Sequence, residues 1–106
     1  MTYREFWPKY LALHADRRSR ALHYAGTLAA IAALALAAVA CDWRWLLAAP
    51  FLGYAPAWLG HVVFERNRPA TFGHPLWSLW SDIRMLALFL TGRLAGEIAR
   101  SQTGRY

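Results

Sequence analysis

A chain of 106 residues, 58% apolar with six Trp and a net charge of +6, sets the scale of one domain. Its single cysteine, Cys41, excludes an internal disulfide and a thiolate zinc site, and dense Ala and Leu without alternating Val, Ile and Thr argue against strands. The positive charge does not read as a nucleic-acid footprint, because the basic residues, nearly all Arg, flank the apolar runs instead of forming a stripe.

Residues 2–14 are predicted to form a short amphipathic helix. Tyr3, Phe6, Trp7, Tyr10 and Leu11 recur at helical spacing with Arg4, Glu5 and Lys9 between them, and Pro8 kinks the helix or marks its true start. Met1–Arg20 carries no signal-peptide pattern. After the charged link Ala15–Arg18, Ser19 is the expected N-cap of a second helix over 19–41. Its Ala21–Cys41 stretch has no formal charge and, at about 1.5 Å per residue, spans a hydrocarbon core of about 30 Å. Asp42-Trp43-Arg44 is the only short polar break before a second apolar run, Trp45–Phe64, in a helix over 45–65. That run contains Pro50, Gly53, Pro56 and Gly60, which membrane helices tolerate when neighbours satisfy the freed backbone groups. Trp43 and Trp45 at the turn, with Tyr24, Trp77 and Trp80 toward the other end, resemble interfacial aromatic belts. A polar stretch, Glu65–Pro69, leads through Ala70–Gly73 to His74-Pro75, a helix start with Pro75 at the first helical position. This last helix is expected over 75–96. Asp82 and Arg84 in its first half place it at the interface or shallowly in the bilayer. The polar tail Arg100–Tyr106 is expected to fray.

The expected architecture is all-α: one domain, 1–106, with a membrane helical hairpin, an N-terminal amphipathic helix and a C-terminal interfacial or shallow membrane helix. Arg4, Lys9, Arg17, Arg18 and Arg20 precede the first apolar run, Arg66 and Arg68 follow the second, and only Arg44 lies in the turn. By the positive-inside rule both termini are cytoplasmic. The bland alternative is a soluble bundle with an Ala-rich core, which the low mean hydropathy of +0.18 favours. Two uncharged runs joined by three residues are, however, hard to bury in so small a chain. Ala29, Ala30, Ala33 and Ala37 are small enough to permit close helix packing in a homodimer.

The hairpin would bring all four histidines to one end. His23 and His61 each lie 19 residues from Asp42, on opposite arms, so helical arms return them to the same height. His14 precedes the first run and His74 follows the second. His61 and Glu65 are spaced i, i+4, on one helix face about 6 Å apart, where Glu65 either shares a metal or orients the imidazole. Imidazole and carboxylate donors without thiolate suit Fe(II), Zn or Mn. Each residue also has a plainer reading: solvated or snorkelling interfacial histidines, Glu65 paired with Arg68 or Arg20, and Asp82 paired with Arg84 or with an Arg at the other helix ends. The residues alone leave open a metal enzyme, a haem or electron-transfer protein with His23 and His61 as axial ligands, a zinc hydrolase, and a non-catalytic membrane protein.

Three stretches carry a family resemblance. They are His14-Ala-Asp-Arg-Arg-Ser-Arg-Ala-Leu-His23-Tyr24-Ala-Gly26, the more specific Gly60-His61-Val-Val-Phe64-Glu65-Arg-Asn-Arg-Pro69-Ala70, and Pro75-Leu-Trp-Ser-Leu-Trp-Ser-Asp82-Ile-Arg-Met85. Over roughly Tyr10–Leu94 the chain resembles a short bacterial member of the Mpo-like 2-hydroxy fatty acid dioxygenase family. The resemblance implies an Fe(II)-dependent dioxygenase that shortens 2-hydroxy fatty acids by one carbon (α-oxidation). A lipid and dioxygen would be its substrates, and its place would be the bacterial cytoplasmic membrane. It implies His14, His23 and His61 as iron ligands and catalytic residues, with Glu65 as a further ligand or support. His74 joins the metal set by proximity only. The chain departs from longer eukaryotic members, which have a Gln upstream of the Gly-His pair where this chain reads Ala57-Trp58-Leu59-Gly60-His61. The segment after Pro69-Ala70 also differs, so His74 has no clear counterpart.

Overall fold

The computed structural model describes residues 1–103, and within them the chain is helical with short connections. Helix α1 spans Tyr3–Leu13, α2 Arg17–Ala40, α3 Arg44–Gly60, α4 Pro75–Leu90 and α5 Leu94–Thr103. A π-helical turn, His61–Glu65, extends α3, and a 3-10 turn, Ala70–Phe72, precedes α4.

Helix α1 runs through Pro8 without ending, capped at its start by the Thr2 hydroxyl, which accepts from the Glu5 amide. The second helix begins earlier than its apolar pattern indicates. Asp16, not Ser19, is its N-cap, accepting from the Arg18 amide, and the charged residues 17–20 form its first turn. Ser19 is instead fully buried, and a Cβ on Gly60 would come within 3.0 Å of its Oγ. Cys41 in the left-handed conformation ends α2, and the chain turns back through Asp42 and Trp43.

Small residues set how closely α2 and α3 approach. A Cβ on Gly26 would stand 2.5 Å from the Gly53 carbonyl oxygen, so the two backbones touch there. Ala33, expected as a packing residue between chains, is buried within this hairpin. The spans Arg17–Ala40 and Arg44–Glu65 are long and apolar enough to cross a membrane, and only 22% of each apolar window is buried inside the molecule.

The last expected helix is two helices. Gly92, at φ 73°, breaks it between Leu90 and Leu94. The break lets α5 fold back on α1, where Phe6, Trp7, Tyr10 and Leu11 pack with Met85, Leu86 and Leu94 into a largely aromatic core. The charges of α4 are not interfacial by need. Arg84 pairs with Glu97, and Asp82 accepts from the Tyr10 hydroxyl, so the expected Asp82–Arg84 pair does not form. Tyr24 and Trp77 are also packed inward, Tyr24 on Phe89 and Trp77 on Phe6, whereas Trp43 and Trp80 are exposed in keeping with a belt. The polar tail is helical as far as Thr103; the remainder of the stretch expected to fray, 104–106, lies outside the described residues.

Candidate metal centre

Three helix ends converge at the end of the hairpin away from its turn. His14 is the C-cap of α1, His23 lies in the second turn of α2, and His61 begins the π-turn after α3. All three are buried, at 1%, 4% and 1% exposure. Their ring centroids are 4.2, 4.5 and 5.0 Å apart, with planes nearly perpendicular to one another. One ligand nitrogen from each lies within 4.8 Å of the others.

Hydrogen bonds decide which nitrogen that is. His14 Nδ1 lies 2.6 Å from the Tyr10 carbonyl oxygen and His23 Nδ1 lies 2.9 Å from that of Ser19. A carbonyl only accepts, so both Nδ1 atoms carry protons. Each histidine thus donates to the carbonyl one turn back on its own helix. His61 Nδ1 lies 2.6 Å from Asn67 Oδ1, and the orientation of that amide is fixed because Asn67 Nδ2 donates to the Leu13 carbonyl at 3.0 Å. His61 therefore also donates through Nδ1.

The three Nε2 atoms are left with bare lone pairs, and those of His14 and His23 face each other at 2.8 Å. Two lone pairs at that distance repel unless a cation or a proton lies between them. A proton is poorly held there, because burial, and then the neighbouring His23, push the His14 pKa well below the ordinary imidazole value. Nitrogens bound to one ion at about 2.0–2.1 Å stand about 2.9–3.4 Å apart, close to the 2.8 Å between His14 and His23, and the tautomers leave the nitrogens free for a divalent metal.

His74 and Glu65 are not among the three converged residues. His74 is stacked on Trp77 and meets Phe6 edge-on, remote in role from the three converged rings. Glu65 accepts from the Asp16 backbone amide at 2.6 Å, tying the start of α2 to the π-turn; it pairs with neither Arg68 nor Arg20. The segment from His61 to Glu65 is a π-turn, of about 4.4 residues per turn, so Glu65 still returns to the side of His61. Asn67 was missed from the sequence. Its approach depends on Arg66, whose left-handed φ of 55° folds the chain back so that both the Arg66 and Asn67 amides donate to the His61 carbonyl. Arg20 also escaped notice in its actual part: it donates to the carbonyls of His14 and Ala15 and pins the end of α1 beside α2.

A family model described as 2-hydroxy-palmitic acid dioxygenase Mpo1-like matches residues 1–94, which include all three histidines. The chain belongs to the Mpo1-like family. No curated protein and no solved structure matches it. The Mpo1-like match ends at Leu94, the first residue of α5. The family name carries dioxygenase activity on a 2-hydroxy fatty acid, and the buried triad is compatible with a metal cofactor for it.

Proposed function

We propose that this Mpo1-like protein is a membrane-embedded, Fe(II)-dependent dioxygenase that shortens 2-hydroxy fatty acids by one carbon. The observation that carries the reading is the inward-facing Nε2 triad, with every Nδ1 proton committed to an oxygen. His14, His23 and His61 would hold the metal. When bound, it supplies Lewis acidity and open coordination positions where a hydroxy acid and dioxygen meet. The family name favours iron over zinc, which a three-histidine set also suits.

The chain's own residues do the rest. The Tyr10 and Ser19 carbonyls and Asn67 hold the tautomers, and burial keeps bulk water out. The exposed apolar flanks, among them Val39 at 85% and Phe51 at 77%, favour a bilayer over water. The Arg distribution favours a cytoplasmic site. The overall chemistry balances without an added reductant. The C1–C2 bond breaks, C2 becomes the carboxyl carbon of the shorter acid, C1 leaves as carbon dioxide, and water takes the remaining oxygen. The four electrons lost by the two carbons are those dioxygen accepts.

Haem ligation is disfavoured by the third ring. His14 lies 4.2 and 4.5 Å from the other two, filling the space a macrocycle between His23 and His61 would need. The deciding experiment is metal analysis of the protein purified in detergent, with turnover of 2-hydroxypalmitic acid under air and under argon. Iron that restores oxygen-dependent formation of the one-carbon-shorter acid, and loses it in His61→Ala, supports the reading. Turnover that persists without oxygen rules out a dioxygenase, and a Soret band indicates haem.

A further inference from the structure

One cavity runs along the hairpin, beginning one helical turn beyond His23. It lies between α2, α3 and α4 and has a volume of about 370 Å³, within the range of ligand pockets. On α2 it is lined by Thr27, Ile31 and Leu34, which continue the helical stripe that His23 begins. On α3 it is lined by Pro50 and Tyr54, which share the stripe leading to Ala57 and His61. Small lining residues, Ala30, Ala49 and Gly53, leave the space unfilled. From the level of His23 to that of Leu34 is about 16 Å at the α-helical rise.

The groove has a polar end and an apolar end. Its only charged lining residue is Asp82, which accepts from the Tyr10 hydroxyl, while the Tyr10 ring lies 4.2 Å from the His14 ring. The polar end is therefore next to the triad. The other end, at Leu34 and Leu46, is apolar and half-exposed, open toward whatever surrounds the hairpin.

We propose that this groove seats the acyl chain of the substrate, entered sideways from the bilayer, with the polar head past the Tyr10–Asp82 pair at the three histidines. The inference rests on the reading of the triad as a hydroxy-acid centre. A general lipid-packing crevice would not need to run in register with His23 and His61, nor to end at a polar pair in contact with a ligand ring.

The test is photolabelling of the full-length, iron-loaded protein in nanodiscs. The probe is 2-hydroxypalmitic acid bearing a diazirine near its methyl end. Peptide mapping should place the label around Leu34 and Leu46, and unlabelled 2-hydroxypalmitic acid should displace it. Leu34→Trp, at a half-exposed position, closes the far end; it should weaken competition by the long acid about tenfold and leave 2-hydroxyoctanoic acid unaffected. Label spread over outward residues such as Val39 and Phe51, or equal labelling by a diazirine phospholipid without competition, overturns the groove. Iron content and turnover are read on the same samples. Competed groove labelling without metal or turnover sinks the dioxygenase reading and leaves the chain site standing; turnover without groove labelling does the reverse.

Discussion

Asn67→Ala isolates the support that holds the His61 tautomer from outside the three ligand helices. In the wild type, Asn67 Oδ1 accepts from His61 Nδ1 at 2.6 Å and Nδ2 donates to the Leu13 carbonyl at 3.0 Å. Alanine removes both bonds and leaves a buried imidazole N–H and a helix-end carbonyl unpaired, at about 1–3 kcal/mol each unless water enters. It also frees His61 to adopt the other tautomer, which would put the proton on Nε2 and block ligation. Loss of such an orienting partner costs about 10–100-fold in metal affinity, or about 1.4–2.7 kcal/mol. Asn67→Asp keeps an acceptor for His61 but sets a carboxylate oxygen against the Leu13 carbonyl. It should therefore recover much of the metal affinity while remaining less stable than wild type. The assay is competitive metal titration in detergent, with circular dichroism to confirm the helical fold. A folded Asn67→Ala protein with wild-type affinity would refute the argument that this amide sets the His61 tautomer.

Gly26→Ala places a Cβ 2.5 Å from the Gly53 carbonyl oxygen and should destabilise the hairpin by about 1–3 kcal/mol, with partial loss of metal. Gly53→Ala meets the Ala30 Cβ at 3.4 Å and the Gly26 carbonyl oxygen at 3.9 Å, both ordinary contacts, and should be tolerated; equal unfolding temperatures for the two would contradict the packing account. Because the folded pKa of His14 is depressed, the unfolded chain binds the extra proton first as pH falls below about 6.5. The metal-free protein should thus lose stability through that window, and metal should dissociate with it, as followed by thermal melts and metal release from pH 7.5 downward. Asp82 has the opposite sign, its carboxyl pushed up to about 6 by burial. Its contribution disfavours folding at neutral pH and fades as pH falls toward its unfolded value. Asp82→Asn should therefore stabilise the protein at pH 7.5, by at most about 3 kcal/mol, and by much less near pH 4. An Asn variant less stable than wild type at pH 7.5 would show that the Tyr10 bond to a charged carboxylate outweighs its desolvation.

The hairpin and the His23–His61 pairing were legible because both depend on helical periodicity, which spacing around Asp42 expresses directly. His14 was legible through its motif, and its distance from the other two rings follows from the tight Asp16-capped turn between α1 and α2. The misplaced features depend on local geometry that composition does not encode. Ser19 is a good N-cap type, but Asp16 sits where its carboxylate reaches the Arg18 amide, and Ser19's small size is needed under Gly60. Gly92, between Thr91 and Arg93, resembles any tolerated helix glycine until its positive φ is known. Asn67 was missed because its approach to His61 depends on the left-handed Arg66 after the π-turn, which the helical pattern of the run does not express.

The triad also depends on residues far along the chain. His14 ends a short helix whose own length is too small to fix it in place. The Tyr10 ring lies 4.2 Å from the His14 ring, Trp7 stacks on Tyr10, and Trp7 Nε1 donates to Glu97 Oε1 at 2.9 Å. Glu97 is on α5, beyond the Mpo1-like match, so in this chain the support of the first ligand is completed by a helix outside the shared family region. Metal would add the missing bond at the other end of this stack. Three neutral imidazoles with opposed lone pairs strain the junction of α1, α2 and α3, and a cation converts that repulsion into three bonds across it. Part of the intrinsic metal-binding energy then goes into holding α1 against the hairpin, which makes metal loss and undocking of α1 a single event.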